Sequence, residues 1–257
     1  MGIYCLPAQA KNINVCYDQW PPMTIFPTAK EPRRGVVIDM LSDIYSQAGY
    51  TLTFFQVPLA RGMSMIAEGL CDILPEMEFS SNDGSHYVYA KQATFAYPTA
   101  FIVRRGDPWR YSDVDSIIGK RIATGPGWNY SSMSKPYQNY LDDPANRDKV
   151  EVVAGNDDVV DRILNMMVLD RVDLYADNIF VLEYVLNSSG LSEQLEIILP
   201  GLEKLLVEKP IFSMKLPSEK RQRLMDIWDN GRKAILPAQE LQYLKSYGIE
   251  EMMTYKH

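Results

Sequence analysis

Apolar and polar positions alternate along this chain in two successive blocks of strand and helix. "NINVCYD" (12–18) reads as a β-rich strand closed by the turn "QWPPM". "VVIDMLSDIYSQAGY" (36–50) carries its apolar residues at helical spacing, with Gly49 placed to end the helix, and "TLTFFQV" (51–57) returns as a strand. A helix over about 60–69 follows, with Met63, Ile66 and Leu70 expected on one face, and then the strand "DILPE" (72–76). The order β-α-β-α-β implies a parallel sheet with right-handed crossovers.

The pattern then repeats. "FIVRRGD" (101–107) and "KRIATGPGW" (120–128) read as strands, the second running into a glycine turn, with a helix expected from about Ser131. "KVEVVAG" (149–155) is a strand, "NDDVVDRILNMMVLDR" (156–171) a helix with an Asn/Asp cap, "VDLYADN" (172–178) a strand, and "IFVLEYVLNSS" (179–189) a helix ended at Gly190. "KPIFSMKL" (209–216) returns the chain to the first block, and two amphipathic helices, about 218–234 and 238–247, close it. The expected fold is therefore α/β: two similar lobes, 11–97 plus 213–257 and 98–212, joined by crossings near 96–100 and 211–214. Open α/β sheets bind ligands off the carboxyl ends of their strands. Chemistry is expected in the turns after "NVCYD", "DILPE", "KRIAT" and "VDLYA".

Composition narrows the function classes. A chain of 257 residues, 46% apolar and 23% charged, can build one large domain or two ordinary ones. A formal charge of −7 and the absence of a Lys/Arg-rich patch argue against a nucleic-acid partner. No apolar run approaches the roughly 18 residues that span a bilayer. Residues 1–10 end in Ala8-Gln9-Ala10 before the polar Lys11-Asn12, the form of a signal-peptide tail at its cleavage site, which predicts a periplasmic location. Cleavage there would leave Cys16 and Cys71, for which one disulfide and two buried thiols both stay open.

Candidate chemistry is sparse. The two histidines, His86 and His257, lie far apart in sequence and no G-x-S-x-G occurs, so hydrolytic triads and histidine-rich metal sites are poorly supported, and no cofactor is expected. "TGPGWNY" (124–130) can cradle an anion on backbone N–H groups or serve as an ordinary tight turn. Strand alternation puts Asp173, Tyr175 and Asp177 on one face, with Asp177 nearest the strand end, where it can accept from an ammonium or cap the following helix. Trp20, in a proline-stiffened turn, can form a flat wall against a ligand or pack structurally. Glu76 and Glu78 stand where "DILPEMEFSSND" leaves its sheet, with Glu78 farther out.

"VCYDQWPPM", "GVVIDMLSDIYSQAGY", "VPLARGMSMIAEGLCDILPE", "IIGKRIATGPGW" and "LDRVDLYADN", in this order and spacing, resemble the periplasmic solute-binding proteins of ABC transporters, family 3, the polar amino-acid-binding type. The resemblance runs over about 12–247 and implies a two-lobed clamp, usually monomeric, that closes over a small solute and delivers it to a membrane permease. By that resemblance Trp20 matches the aromatic lid and Leu59 the side chain that packs on the ligand after the proline. Gly127, Trp128 and Asn129 match the loop that receives the ligand carboxylate, and Asp177 matches the carboxylate that holds the α-ammonium. The arginine that clamps the α-carboxylate in amino-acid binders is missing. None occurs between Arg61 and Arg104, Asp83 or a neighbour stands near its place, and Arg61 is the nearby cation that can substitute or else serve as a surface or inter-lobe residue.

An acidic cleft built from Glu76 and Asp177 and lined by Tyr17, Trp20 and Trp128 predicts a cationic or amine-bearing solute, because a buried carboxylate needs a positive partner or a proton. Two alternatives accompany this expectation. One is a clamp that presents its ligand to a signalling receptor. The other is an enzyme resembling the cyclohexadienyl dehydratases, with Glu76 as acid/base catalyst.

Overall fold

The computed structural model describes residues 11–79, 84–155, 159–201 and 205–249. The expected signal-peptide tail, the neighbourhood of Asp83 and the expected helix cap at 156–158 lie outside the described residues.

The first block forms β1 (Lys11–Tyr17), α1 (Val36–Gln47), β2 (Tyr50–Gln56), α2 (Leu59–Glu68) and β3 (Ile73–Glu78), followed by a short strand β4 (Tyr87–Tyr89) and the long β5 (Phe95–Arg104). The second block forms β6 (Ile122–Thr124), α3 (Lys135–Asp142), β7 (Val150–Val152), α4 (Val159–Val168), β8 (Leu174–Asn178), α5 (Ile179–Ser189) and β9 (Leu195–Ile198). The return strand β10 (Leu205–Ser213) and helices α6 (Ser218–Ala234) and α7 (Pro237–Ser246) complete the fold.

The strands run in the order β2-β1-β3-β10-β5-β8-β6-β7, with β4 attached to β10 and β9 to β5. Each outer wing is parallel, as the alternating pattern predicts: β1 pairs with β2 and β3, and β6 with β7 and β8. The junction between the wings is antiparallel. Phe95–Pro98 of β5 pair with Leu205–Glu208 of β10, and from Thr99 onward β5 pairs with β8 and β9. Beyond that junction β10 pairs with β3 and β4, so it has reached β3 at Glu208, upstream of the crossing expected at 211–214.

Local chemistry sets the element ends. Asn178 caps α5 by accepting from the Phe180 backbone N–H, and Ser134 caps α3 by accepting from that of Tyr137. The Ser134 cap and Pro136 in the first turn start α3 four residues after Ser131, where the sequence pattern placed it. Gly69, at φ 78°, ends α2 in the left-handed conformation. Leu70 therefore leaves the helix and is exposed, and Met65 and Ile66 provide the buried face instead. Cys16 and Cys71 form a disulfide across a 55-residue separation, with Cα atoms 5.8 Å apart. It lies in a cluster with Met65, Ile66, Leu74 and Ile211, fastening β1 to the start of β3.

Candidate functional site

Two strand ends from different lobes meet at the antiparallel junction. Asp177, next to last in β8, is 7% exposed and accepts from the Tyr175 hydroxyl and, at 2.7 Å, from the Asn178 backbone N–H. The Trp20 indole, carried on the turn after β1, lies close enough to stabilise the carboxylate as well. Burial raises the Asp177 carboxyl to about 6, and these donors partly offset the rise. The helix-cap alternative for Asp177 does not hold, because the side chain that caps α5 is that of Asn178.

Around Asp177 the aromatic walls are continuous. Trp128 lies tilted over Tyr175 with ring centroids 6.0 Å apart, and Trp20 meets Tyr97 edge-on at 6.4 Å. Tyr97 packs on Phe180 at 5.6 Å, which ties the junction strand β5 to α5. Gly125 permits this wall: a Cβ there would fall 2.3 Å from the Trp128 ring. The loop Gly127–Trp128–Asn129 opens on its other side into a cavity of about 370 Å³, lined also by Thr124, Ser131, Gln138 and Asp142.

A second acidic group sits on the junction itself. Glu76 is 8% exposed and Glu208, on β10, 6%. In the antiparallel register Glu208 stands opposite Glu78 and Phe95, so its side chain shares a face with Glu76 and Tyr97. Both Glu76 oxygens, Oε2 of Glu208 and the Tyr97 hydroxyl are buried without a hydrogen-bond partner among the described residues. Burial first, then the charges of Glu208 and Asp18, pushes the Glu76 carboxyl well up. Burial raises Glu208 to about 8 against the partly offsetting polar neighbours Tyr97 and Glu76, and raises Asp18, half-buried just after β1, to about 6. Among the described residues no lysine or arginine pairs with Asp18, Glu76, Asp177 or Glu208.

The residues singled out in the sequence divide accordingly. Trp20, Asp177 and Trp128 come together around Tyr175, and Glu76 joins them through Tyr97, whose hydroxyl is held up by burial and then by the charges of Glu208, Glu76 and Asp177. Tyr17 does not share this arrangement. Its hydroxyl accepts from Arg34 at 3.1 Å and Gln56 at 3.2 Å, and its ring packs on Phe26 and Phe54. Arg61 stands more than half exposed on α2, 3.7 Å from Glu68, and Leu59 opens the same helix with 40% exposure. Neither makes a contact with the acidic group in this conformation. Asp173 accepts from Arg104 at 2.6 Å and Arg121 at 2.7 Å, a structural network.

Sequence reading missed Asp18, Tyr97 and Glu208. Asp18 ends the first strand, in a turn already marked for chemistry. Glu208 lies in "VEKP", one residue before the segment read as the return strand. Tyr97 gave no signal beyond its place in an apolar run.

No family model and no curated protein matches the chain. Solved structures do. An ancestral arginine-binding protein bound to glutamine superposes with a TM-score of 0.69 at 16% identity, covering 95% of this chain and 100% of that one. A protein studied for glutathione import via GshT and the cystine ABC importer TcyBC of Streptococcus mutans gives 0.71 at 13%, covering 93% and 95%. A histidine kinase sensor domain with similarity to periplasmic binding proteins gives 0.71 at 15%, covering 93% and 96%. The fold is a periplasmic-binding-protein Venus flytrap. Likeness at these identities extends to the fold alone, and the side chains that fill the Venus flytrap cleft are this chain's own.

Proposed function

We propose that this chain is a periplasmic solute-binding protein whose lobes close over a small amine-bearing or cationic solute and deliver it to an ABC permease. The observation that carries this reading is Asp177: a buried carboxylate between Trp20, Trp128 and Tyr175, held by donors but paired with no cation among the described residues. An ammonium supplies the missing positive charge, and indole and phenol faces attract it further. Trp20 acts as the lid, the loop Gly127–Asn129 borders the entrance, and Glu76 forms the opposing wall. Leu59 and Arg61 join the rim only when α2 turns toward the solute. The lobes follow 11–97 plus 213–257 and 98–212, with the return crossing drawn back toward Leu205 by the register of β10. A disulfide suits an oxidising compartment, which supports a periplasmic location, and no described helix is long and apolar enough to cross a membrane.

Isothermal titration against amino acids, alkylamines and quaternary amines tests the reading. Micromolar or tighter binding of amines supports it; binding of acidic or neutral amino acids with amines silent overturns it. A sensing role is the second reading, favoured by the equal likeness to a histidine kinase sensor domain. A permease and ATPase encoded beside this chain support transport, whereas a receptor kinase encoded beside it supports sensing.

A further inference from the structure

We propose that Asp18, Glu76 and Glu208 form a second ammonium subsite on the junction strands, so that the solute is a linear dication without a carboxylate, an alkyl diamine or guanidino-amine. The inference rests on the reading that the Asp177 cleft receives an amine, and adds that this amine carries a second cationic end.

Three observations lead to it. The first is unfilled hydrogen-bonding capacity. Among the described residues, both Glu76 oxygens, Oε2 of Glu208 and the Tyr97 hydroxyl are buried with no hydrogen-bond partner. Once ionised, the three carboxyl oxygens among these four atoms can only accept, and an ammonium, with three N–H donors and no acceptor, supplies the donors as it displaces the proton they hold in the free chain. Left unfilled, such a group costs free energy.

The second is fixed position. Glu208 is locked into the sheet by its carbonyl, which accepts from the Thr94 N–H at 2.8 Å, and by pairing with both β3 and β5. It belongs to one of the two strands that join the lobes, on the same face as Tyr97 and Glu76. Tyr97 in turn borders Trp20 and Phe180, the latter three residues after Asp177. A ligand held by Asp177 that extends along the junction meets these carboxyl groups next.

The third is charge of one sign. Every element facing the group contributes an acid or a phenol: Asp18 after β1, Glu76 from β3, Tyr97 from β5, Tyr175 and Asp177 from β8, Glu208 from β10. Arg34, which meets the end of β1, is turned to the Tyr17 hydroxyl and the Phe54 ring. With Asp18 and Asp177 held near 6 and Glu208 near 8, the free site carries roughly two negative charges at neutral pH, and a dication neutralises them. An α-carboxylate would face this acid group without a partner.

The test is calorimetric titration of the full chain with cadaverine, lysine and pentylamine, and with agmatine and arginine. These probes keep one ammonium constant while adding a second cation or a carboxylate. Cadaverine is expected to bind at least tenfold tighter than pentylamine and than lysine, and agmatine at least tenfold tighter than arginine. In Glu76→Gln and Glu208→Gln, each checked for folding by thermal melting, the cadaverine-to-pentylamine ratio falls below threefold. Cadaverine also displaces a proton shared by the glutamates, so its apparent enthalpy at pH 7 differs between buffers of different ionisation enthalpy. Should a glutamine variant not fold, this proton release decides in its place. Equal affinity for cadaverine and pentylamine, tighter binding of lysine than cadaverine, or an enthalpy independent of buffer overturns the second subsite and leaves the amine reading standing. Silence from every amine overturns the amine reading itself.

Discussion

Glu76 on β3 and Glu208 on β10 lie buried on one face of neighbouring strands at the junction, and the charge of Glu208 adds to burial in holding a proton on Glu76. Two buried carboxylates on neighbouring strands repel, so in the free chain this contact is stable only while at least one of them is protonated.

That relationship fixes a pH dependence. Both carboxyl groups sit above the ordinary glutamate value of 4.5 in the folded chain, Glu208 at about 8. Between those values the unfolded chain has released protons that the folded chain still holds. Their contribution to stability is full below 4.5 and is lost as pH rises toward 8. The free protein's melting temperature is expected to fall from pH 5 to pH 8. Glu208→Gln flattens the fall and raises the pH 8 melting temperature by several degrees, at about 2–4 °C per kcal/mol for a chain of this size. Parallel curves for wild type and variant in differential scanning calorimetry would count against it.

Asp173 contributes the opposite dependence elsewhere. Hydrogen bonds from Arg121, with further help from Arg104, hold its carboxyl far below the usual range despite burial, so its contribution is present at neutral pH and lost as pH falls through the acid range. The arginines are 30% and 40% exposed, which screens the charges. Asp173→Ala is expected to cost about 1–3 kcal/mol in urea unfolding at pH 7, and to leave the solute Kd unchanged, because Asp173 ties the start of β8 to β6 rather than lining the cleft.

Periodicity was enough to read both parallel wings and helices α1 and α6, because each has an apolar face that can be buried in only one way, while α5, apolar nearly all round, was marked by its length and by Gly190 at its end. The junction was harder. β4 is three residues long, β9 four, and the two strands that cross between lobes pair with residues as far as 130 positions away in sequence, as Glu208 does with Glu78. Asp177 and Trp20 were legible because strand parity and a proline turn fix them locally. Glu208 and Tyr97 were not, because their chemistry appears only when β5 and β10 pair. Tyr17 was misplaced for a related reason: parity gives its face, but only the fold shows that Arg34 and Gln56 claim its hydroxyl.

The Cys16–Cys71 bridge closes a long loop through β1, α1, β2 and α2. Restricting a loop of that length in the unfolded chain stabilises the fold by about 4 kcal/mol in the chain-entropy model. Reduction with dithiothreitol, or paired Cys16→Ala and Cys71→Ala, is expected to lower the melting temperature by about 10 °C. In the denatured, unreduced chain mass spectrometry is expected to count one alkylatable thiol, Cys5; three would show instead that the bridge is not formed.

Gly125 tests the aromatic wall without touching a charged group. A methyl group there meets Trp128 ring atoms at 2.3, 2.5 and 2.7 Å, so alanine must push the indole off Tyr175. Tyr175 holds Asp177 through its hydroxyl, and displacement of Trp128 therefore removes a wall and loosens the carboxylate together. Gly125→Ala is expected to weaken amine binding about tenfold, about 1.4 kcal/mol, and to change the tryptophan emission of the free protein. Gly127→Ala provides the contrast. At φ 76° it strains the backbone, but its added methyl has nothing within 4 Å, so it costs about 1 kcal/mol of stability without moving the indole. An equal loss of affinity in both variants would place the effect in loop strain. A loss confined to Gly125→Ala places it in the contact between Trp128 and Tyr175, on which the orientation of Asp177 depends.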